Sequence, residues 1–246
     1  MSPPLEAIGA TLAQRLRGGA GPATDLAGRG TENTLPVLSA LAPLLPDRGL
    51  RRGSTVAVQG SASLLLALLA GASRSGAWAA VVGVPTLGMV AAAEAGVVLE
   101  RLALVPHPGN DLAGVLAALA DGMDIVALGG SGRLHAAEVR RLVARARQRG
   151  TVLVGFGGWP GADLRLTVQA PAWRGLGQGH GHLSARRVTV RLDGRGSAAR
   201  PRHHDIWLPA LGGGVAEAEP ALGAFTPAQV IGPALDPAWP GQAEAV

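Results

Sequence analysis

The junction best placed to hold an anion reads Val56-Ala57-Val58-Gln59-Gly60-Ser61-Ala62-Ser63-Leu64-Leu65-Leu66, an apolar strand, a glycine turn and an apolar helix. Backbone N–H groups at the start of such a helix attract phosphate. Gly60, Ser61, Ala62 and Ser63 are therefore the candidate nucleotide-binding loop. A working phosphate loop also ends in lysine and a hydroxyl residue, and here the corresponding places hold Leu65, Leu66 and Ala67. The chain contains no lysine at all: its 22 basic residues are all arginine, against 17 acids. The loop reads as degenerate. No catalytic residue is assigned, and no cofactor or metal is expected.

Arginine offers paired donors to phosphate, and two groups of it stand out. Arg140, Arg141, Arg145, Arg147 and Arg149 crowd one stretch, with Val139, Leu142, Val143 and Ala146 as its apolar side. Arg186 and Arg187 head a later group that includes Arg191, Arg195, Arg200 and Arg202. Both groups suit weak, sequence-independent contact with DNA or with an acidic partner. They equally suit solvated outer faces. Trp159, Trp173 and Trp207 could stack on bases, and Trp173, in Ala172-Trp173-Arg174-Gly175, reads as a loop residue. His180 and His182 would share a face on a strand and could ligate a metal, but Gly179-His180-Gly181 reads as a mobile turn. The absence of cysteine excludes disulfide scaffolds, zinc ribbons and thiol nucleophiles. No Gly-x-Ser-x-Gly elbow occurs, and Pro160 stands where a dinucleotide fingerprint after Gly155 needs glycine.

The elements that must position these residues alternate. Strands are expected at Thr55–Val58, Trp78–Val84, Arg101–Val105, Asp124–Leu128 and Thr151–Phe156. Helices are expected at Ser63–Ser73, Thr86–Ala95, Asp111–Asp121 and Leu134–Arg149. Continuous apolar strands separated by helices imply an α/β fold, a mostly parallel sheet covered on both faces. Beyond Gly161 the segments Leu164–Val168, Arg187–Leu192 and Ile206–Leu208 lack intervening helices and predict a C-terminal antiparallel hairpin extension. Three regions follow: residues 1–34, a short helix over Leu5–Arg17 and a Gly-rich linker; 35–209, the core; and 210–246, a Pro/Gly-rich acidic tail, largely disordered. The longest apolar stretch stops at Arg74, short of a membrane span.

The order of these segments resembles the RecA core. Thr55–Gly60 with its apolar helix looks like the start of that core, Ala79–Val84, Arg101–Val105 and Met123–Leu128 like its following strands, and Asp163–Val168, Arg187–Leu192 and Asp205–Leu208 like its final hairpin. More closely, Leu35-Pro36-Val37-Leu38, Leu44-Leu45-Pro46 and Gly49-Leu50-Arg51-Arg52-Gly53-Ser54 look like the RecA-related ImuA-type proteins of actinobacteria. That resemblance implies an accessory factor of damage-induced, error-prone translesion synthesis. Its partners would be a catalytically inactive Y-family polymerase homologue and, through it, an error-prone replicative polymerase. Against the RecA pattern the chain lacks the loop lysine. It has Val82-Gly83-Val84-Pro85 where a catalytic glutamate ends the second strand, and Gly129 where an acid ends the Walker B strand. Three missing parts together imply an adaptor that does not hydrolyse ATP.

The resemblance also implies roles for the chain ends. Leu5, Ile8, Leu12 and Leu16 form an apolar stripe suited to self-association or a partner, or else to the protein's own core. The residues themselves, apolar in a weakly folding segment, make Phe225 and Trp239 the expected anchors of the tail on a partner. A cytoplasmic protein is expected, with association with the nucleoid left open. Two other readings stand beside the adaptor: a DNA-dependent ATPase or recombination protein with a non-standard nucleotide site, and a RecA-like inhibitor of cell division.

Overall fold

The computed structural model describes residues 33–177 and 180–218. The expected helix with Leu5, Ile8, Leu12 and Leu16, most of the linker, and the tail anchors Phe225 and Trp239 lie outside the described residues.

Strands β1 (Thr34–Pro36) and β2 (Gly49–Arg51) form an antiparallel pair with Leu35 opposite Leu50. Between them Leu41, Leu44 and Leu45 are buried. The chain then enters the main sheet through β3 (Thr55–Gln59), followed by α1 (Ala62–Arg74), β4 (Ala79–Val82), α2 (Met89–Glu94), β5 (Leu102–Val105), α3 (Leu112–Gly122), β6 (Ile125–Gly129), α4 (Ala136–Arg149) and β7 (Val152–Phe156). Strands β8 (Leu164–Gly177), β9 (His180–Gly194), β10 (Arg202–Trp207) and β11 (Ala216–Glu217) complete it.

Across the nine-stranded sheet the order is β11-β10-β9-β8-β3-β7-β6-β4-β5. The six strands from β8 to β5 run parallel, and β9, β10 and β11 pair antiparallel. The expected antiparallel extension therefore begins one strand later, because β8 pairs parallel with β3 through Val56 opposite Leu164.

Successive side chains on a strand point to opposite faces, and here each set meets its own core. Val56, Val58, Val81, Ile125 and Val154 join α1 and the β1–β2 segment on one face. Ala57, Val82, Val126, Leu128 and Leu153 join Leu116 of α3 and Leu142 and Ala146 of α4 on the other. Coverage on both faces is why these strands read as unbroken apolar runs. Helix α1 is buried along ten consecutive residues, Leu64–Ser73. Its outer side is closed by the backbone at Val37 and Leu38, which approaches so tightly that only glycine fits at position 71. No helix among the described residues is long and apolar enough to cross a membrane.

Two departures from the sequence expectation concern the C-terminal part. Strands β8 and β9 run far past Val168 and start well before Arg187, so Trp173 lies in a strand rather than a loop, and His180 and His182 lie on β9 rather than in a turn. Pairing crosses two register shifts, one beside Ala170 at φ +45. Side chains tie the arm: the Arg186 guanidinium sits 5.4 Å from the Trp173 ring centroid, and Arg174 sits 4.6 Å from that of Trp207. Cation–π contacts of this kind contribute about 0.5–2 kcal/mol each. The tail also begins later than residue 210, since Ala216 and Glu217 pair with Trp207 and Ile206.

A Cβ at position 71 would lie 2.4 Å from the backbone of Val37. In an open helix Gly→Ala stabilises by about 1 kcal/mol. Here overpacking reverses the sign, and Gly71→Ala should lower the unfolding free energy by about 1–3 kcal/mol in urea titration. A gain in stability would show that the β1–β2 segment does not press on α1.

Candidate functional site at the start of α1

Gly60, at φ +83, turns the chain off β3, and Ser61 follows as the N-cap of α1. Its hydroxyl oxygen accepts the Leu64 N–H at 3.3 Å, while its carbonyl accepts the Leu65 N–H at 3.3 Å. These two bonds cap the start of α1. A second donor reaches the same hydroxyl: Arg186 Nη2 donates to Ser61 Oγ at 3.1 Å. Arg186 Nε donates to the Leu208 carbonyl at 2.8 Å, and the Arg186 and Leu208 backbones exchange further bonds with Pro209 and each other.

Among the described residues no carboxylate lies within ion-pair distance of Arg186, and its partners are neutral oxygens and the Trp173 ring. Burial lowers the guanidinium below the ordinary arginine pKa. Around the loop, Thr167 Oγ1 donates to Gln59 Oε1 at 3.4 Å. Ala62 and Ser63 open the helix with no acid in the first turn.

The neighbouring strand ends are closed by glycine packing. A Cβ on Gly129 would stand 2.6 Å from the Gly83 carbonyl oxygen and 2.7 Å from Val84 Cγ2. An acid at this position, where the RecA pattern places one, does not fit beside Gly83. A Cβ on Gly155 would meet the Gly158 carbonyl oxygen at 2.3 Å. Trp159 is buried in the core beneath these turns, not presented for stacking. No group of three or more His, Asp or Glu residues among the described residues could hold a metal ion.

The arginine groups are divided by the fold. Arg145 donates to both oxygens of Asp121 on α3, through Nη2 and through Nε at 2.8 Å, and Arg149 Nε adds a bond at 3.0 Å. The Arg145 hydrogen bond holds the Asp121 carboxyl below the usual carboxylate range. These two arginines therefore clasp α4 to α3. Arg187 pairs with Asp205 at 2.7 Å, and Thr189 Oγ1 donates to the other oxygen of that carboxylate at 2.6 Å. The Thr189 bond is the main reason Asp205 lies below its ordinary pKa, with Arg187 adding to it. Arg140, Arg141 and Arg147 remain exposed on α4, with no carboxylate in ion-pair range among the described residues. The role of Arg186 has no signal in spacing, because its hydroxyl partner stands 125 residues earlier.

Comparison with known proteins bears on this arrangement. The family described as the MT3502 N-terminal domain matches residues 43–161. The uncharacterized protein Rv3395c of Mycobacterium tuberculosis is 43% identical over 153 residues, a stretch that takes in 58% of this chain and 74% of that protein. The chain belongs to the MT3502 family. The span matched to the family's N-terminal domain holds the Gly60–Ser63 loop, α1 and the α4 arginines, whereas Arg186 and the long hairpin lie beyond it.

Ser61→Ala should cost about 1 kcal/mol through loss of the cap. Because Arg186 loses one of its two side-chain acceptors in the same variant, a double-mutant cycle of Ser61→Ala with Arg186→Ala should give a coupling above about 0.5 kcal/mol in chemical denaturation. Strict additivity would show that the guanidinium does not rest on the loop.

Proposed function

We propose that this protein is a RecA-fold adaptor without ATPase activity that serves error-prone translesion DNA synthesis. It holds an inactive Y-family polymerase homologue and, through it, an error-prone replicative polymerase, and it works in the cytoplasm at the nucleoid. The single observation that carries the non-catalytic part is the Arg186 guanidinium seated on Ser61 Oγ, with that oxygen already capping α1. Phosphoryl transfer needs a lysine or equivalent cation aimed at the phosphates and a magnesium ion held by a hydroxyl and an acid. The chain has no lysine, and Gly129 is packed against Gly83 where the acid would stand.

The RecA-like reading draws support from the strand, glycine turn and helix that open a mostly parallel sheet ending in antiparallel strands. The choice of partners follows from the resemblance of residues 35–54 to ImuA-type proteins. Partner contacts are assigned to the apolar stripe of Leu5, Ile8, Leu12 and Leu16 and to Phe225 and Trp239. Weak DNA contact falls to Arg140 and Arg141, which project from α4 with no ion-pair partner among the described residues.

Calorimetry with magnesium and ATP should give no heat of binding. Co-purification of the full chain with the inactive polymerase homologue should succeed equally with and without ATP. Low-micromolar, magnesium-dependent ATP binding, or turnover stimulated by single-stranded DNA, would overturn the adaptor reading in favour of an ATPase. Filamentous cells on overproduction, with no capture of the polymerase homologue, would overturn it in favour of a division inhibitor.

A further inference from the structure

A cavity of about 560 Å³ opens at the end of the sheet opposite the β3–α1 loop. Its walls come from five separate parts of the chain: the residue before β1, the stretch that leads through β2 into β3, the last turn of α4, the start of β8, and the turn after β9. They bring Arg51, Arg52, Arg147 and Arg195 together with Asp47 and Asp163.

The commitments of these groups differ sharply. Asp163 is spent on the fold: its Oδ2 accepts the Thr55 backbone N–H at 2.8 Å and the Thr55 hydroxyl at 2.9 Å, tying the start of β3 to the start of β8. Arg52 donates to Asp124 at 2.8 Å. Among the described residues the side chains of Arg51, Arg147 and Arg195 make no hydrogen bond or ion pair, and all three are exposed. Among the described residues Asp47 is the one lining carboxylate whose side chain has no hydrogen bond or ion pair, and it sits on an exposed turn. Three arginines whose side chains have no polar partner among the described residues thus line one concavity with one such carboxylate. Like charges gathered around a cavity repel one another, and a bound anion removes that cost.

The character of the lining narrows the anion. Guanidinium binds phosphate oxygens through two parallel N–H donors. Among the described residues no aromatic ring lines the cavity, so none of them stacks on a base there. Its volume falls in the range of small-molecule sites, about 300–1,000 Å³. We propose that this cavity binds a small ligand carrying two or more phosphate groups, pyrophosphate being the smallest member of the class. The proposal uses neither the Ser61 loop nor any protein partner, so it stands or falls apart from the adaptor reading.

The test is calorimetric titration of the full chain with pyrophosphate at low salt, in wild type and in Arg51→Gln, Arg147→Gln and Arg195→Gln. Binding should be saturable and should weaken at least about tenfold in each variant, equivalent to about 1.4 kcal/mol. Arg133→Gln, at an exposed arginine outside the cavity, should leave affinity unchanged. Thermal melting of each variant checks that the fold is kept, as expected for exposed side chains. Absence of binding at millimolar pyrophosphate, or affinity unaltered in all three cavity variants, overturns the proposal. So does a single-stranded oligonucleotide that binds through these arginines while pyrophosphate neither binds nor competes.

Discussion

Ten consecutive residues of α1 lie out of solvent, and a helix in that state must find its terminal hydrogen bonds inside the protein. At its C-terminal end the needs are met by serines: Ser75 Oγ donates to the Ala72 carbonyl at 2.7 Å, and Ser73 Oγ donates to Ala70 while accepting the Val98 N–H at 3.1 Å. At its N-terminal end Ser61 supplies the cap, and Arg186 arrives from the β8–β9 arm to donate to the same oxygen. The constraint reaches outward from there. The β1–β2 segment must cover the outer side of α1, Gly71 must stay without a side chain, and the hairpin must be long enough to bring Arg186 back to the loop.

This arrangement inverts the polarity expected of an open α/β sheet, whose ligands bind beyond the carboxyl ends of the strands. Here those ends are filled: Gly129 packs on Gly83, Gly155 packs on Gly158, and Ser61 is occupied. At the amino ends, by contrast, a cavity stands open with three uncommitted arginines on its walls. The same side-chain type thus serves opposite purposes. Arg186 is half-buried and closes a site; Arg51, Arg147 and Arg195 are exposed and leave one open.

The central strands were legible because coverage on both faces demands apolar residues at every position, as in Ile125–Leu128 and Ala79–Val82. The loop at Gly60–Ser63 was legible for a related reason: strand, glycine and apolar helix follow one another directly in the chain. Helix α2 came out shorter than Thr86–Ala95, starting only at Met89 after Pro85 and the Gly88 cap. The long hairpin was hidden, since Gly175 and Gly177 signal turns while the pairing is held by Arg174 on Trp207 and Arg186 on Trp173. The division of the arginines was hidden too. Arg145 and Arg149 share a helix with Arg140 and Arg141, but only the former meet Asp121, which stands on another helix. Local pattern reveals which residues are apolar; it does not reveal which distant acid or hydroxyl a guanidinium will find.

The closure of the Gly60–Ser63 turn by Ser61 and Arg186 can be read at one atom. In a nitrogen-resolved magnetic resonance spectrum, the Arg186 Nε–H donates to the Leu208 carbonyl beside the loop and should exchange slowly with water. Its position should not move when magnesium and ATP are added. Rapid exchange, or a shift that saturates with ATP, would contradict the account and place a nucleotide where Arg186 now rests.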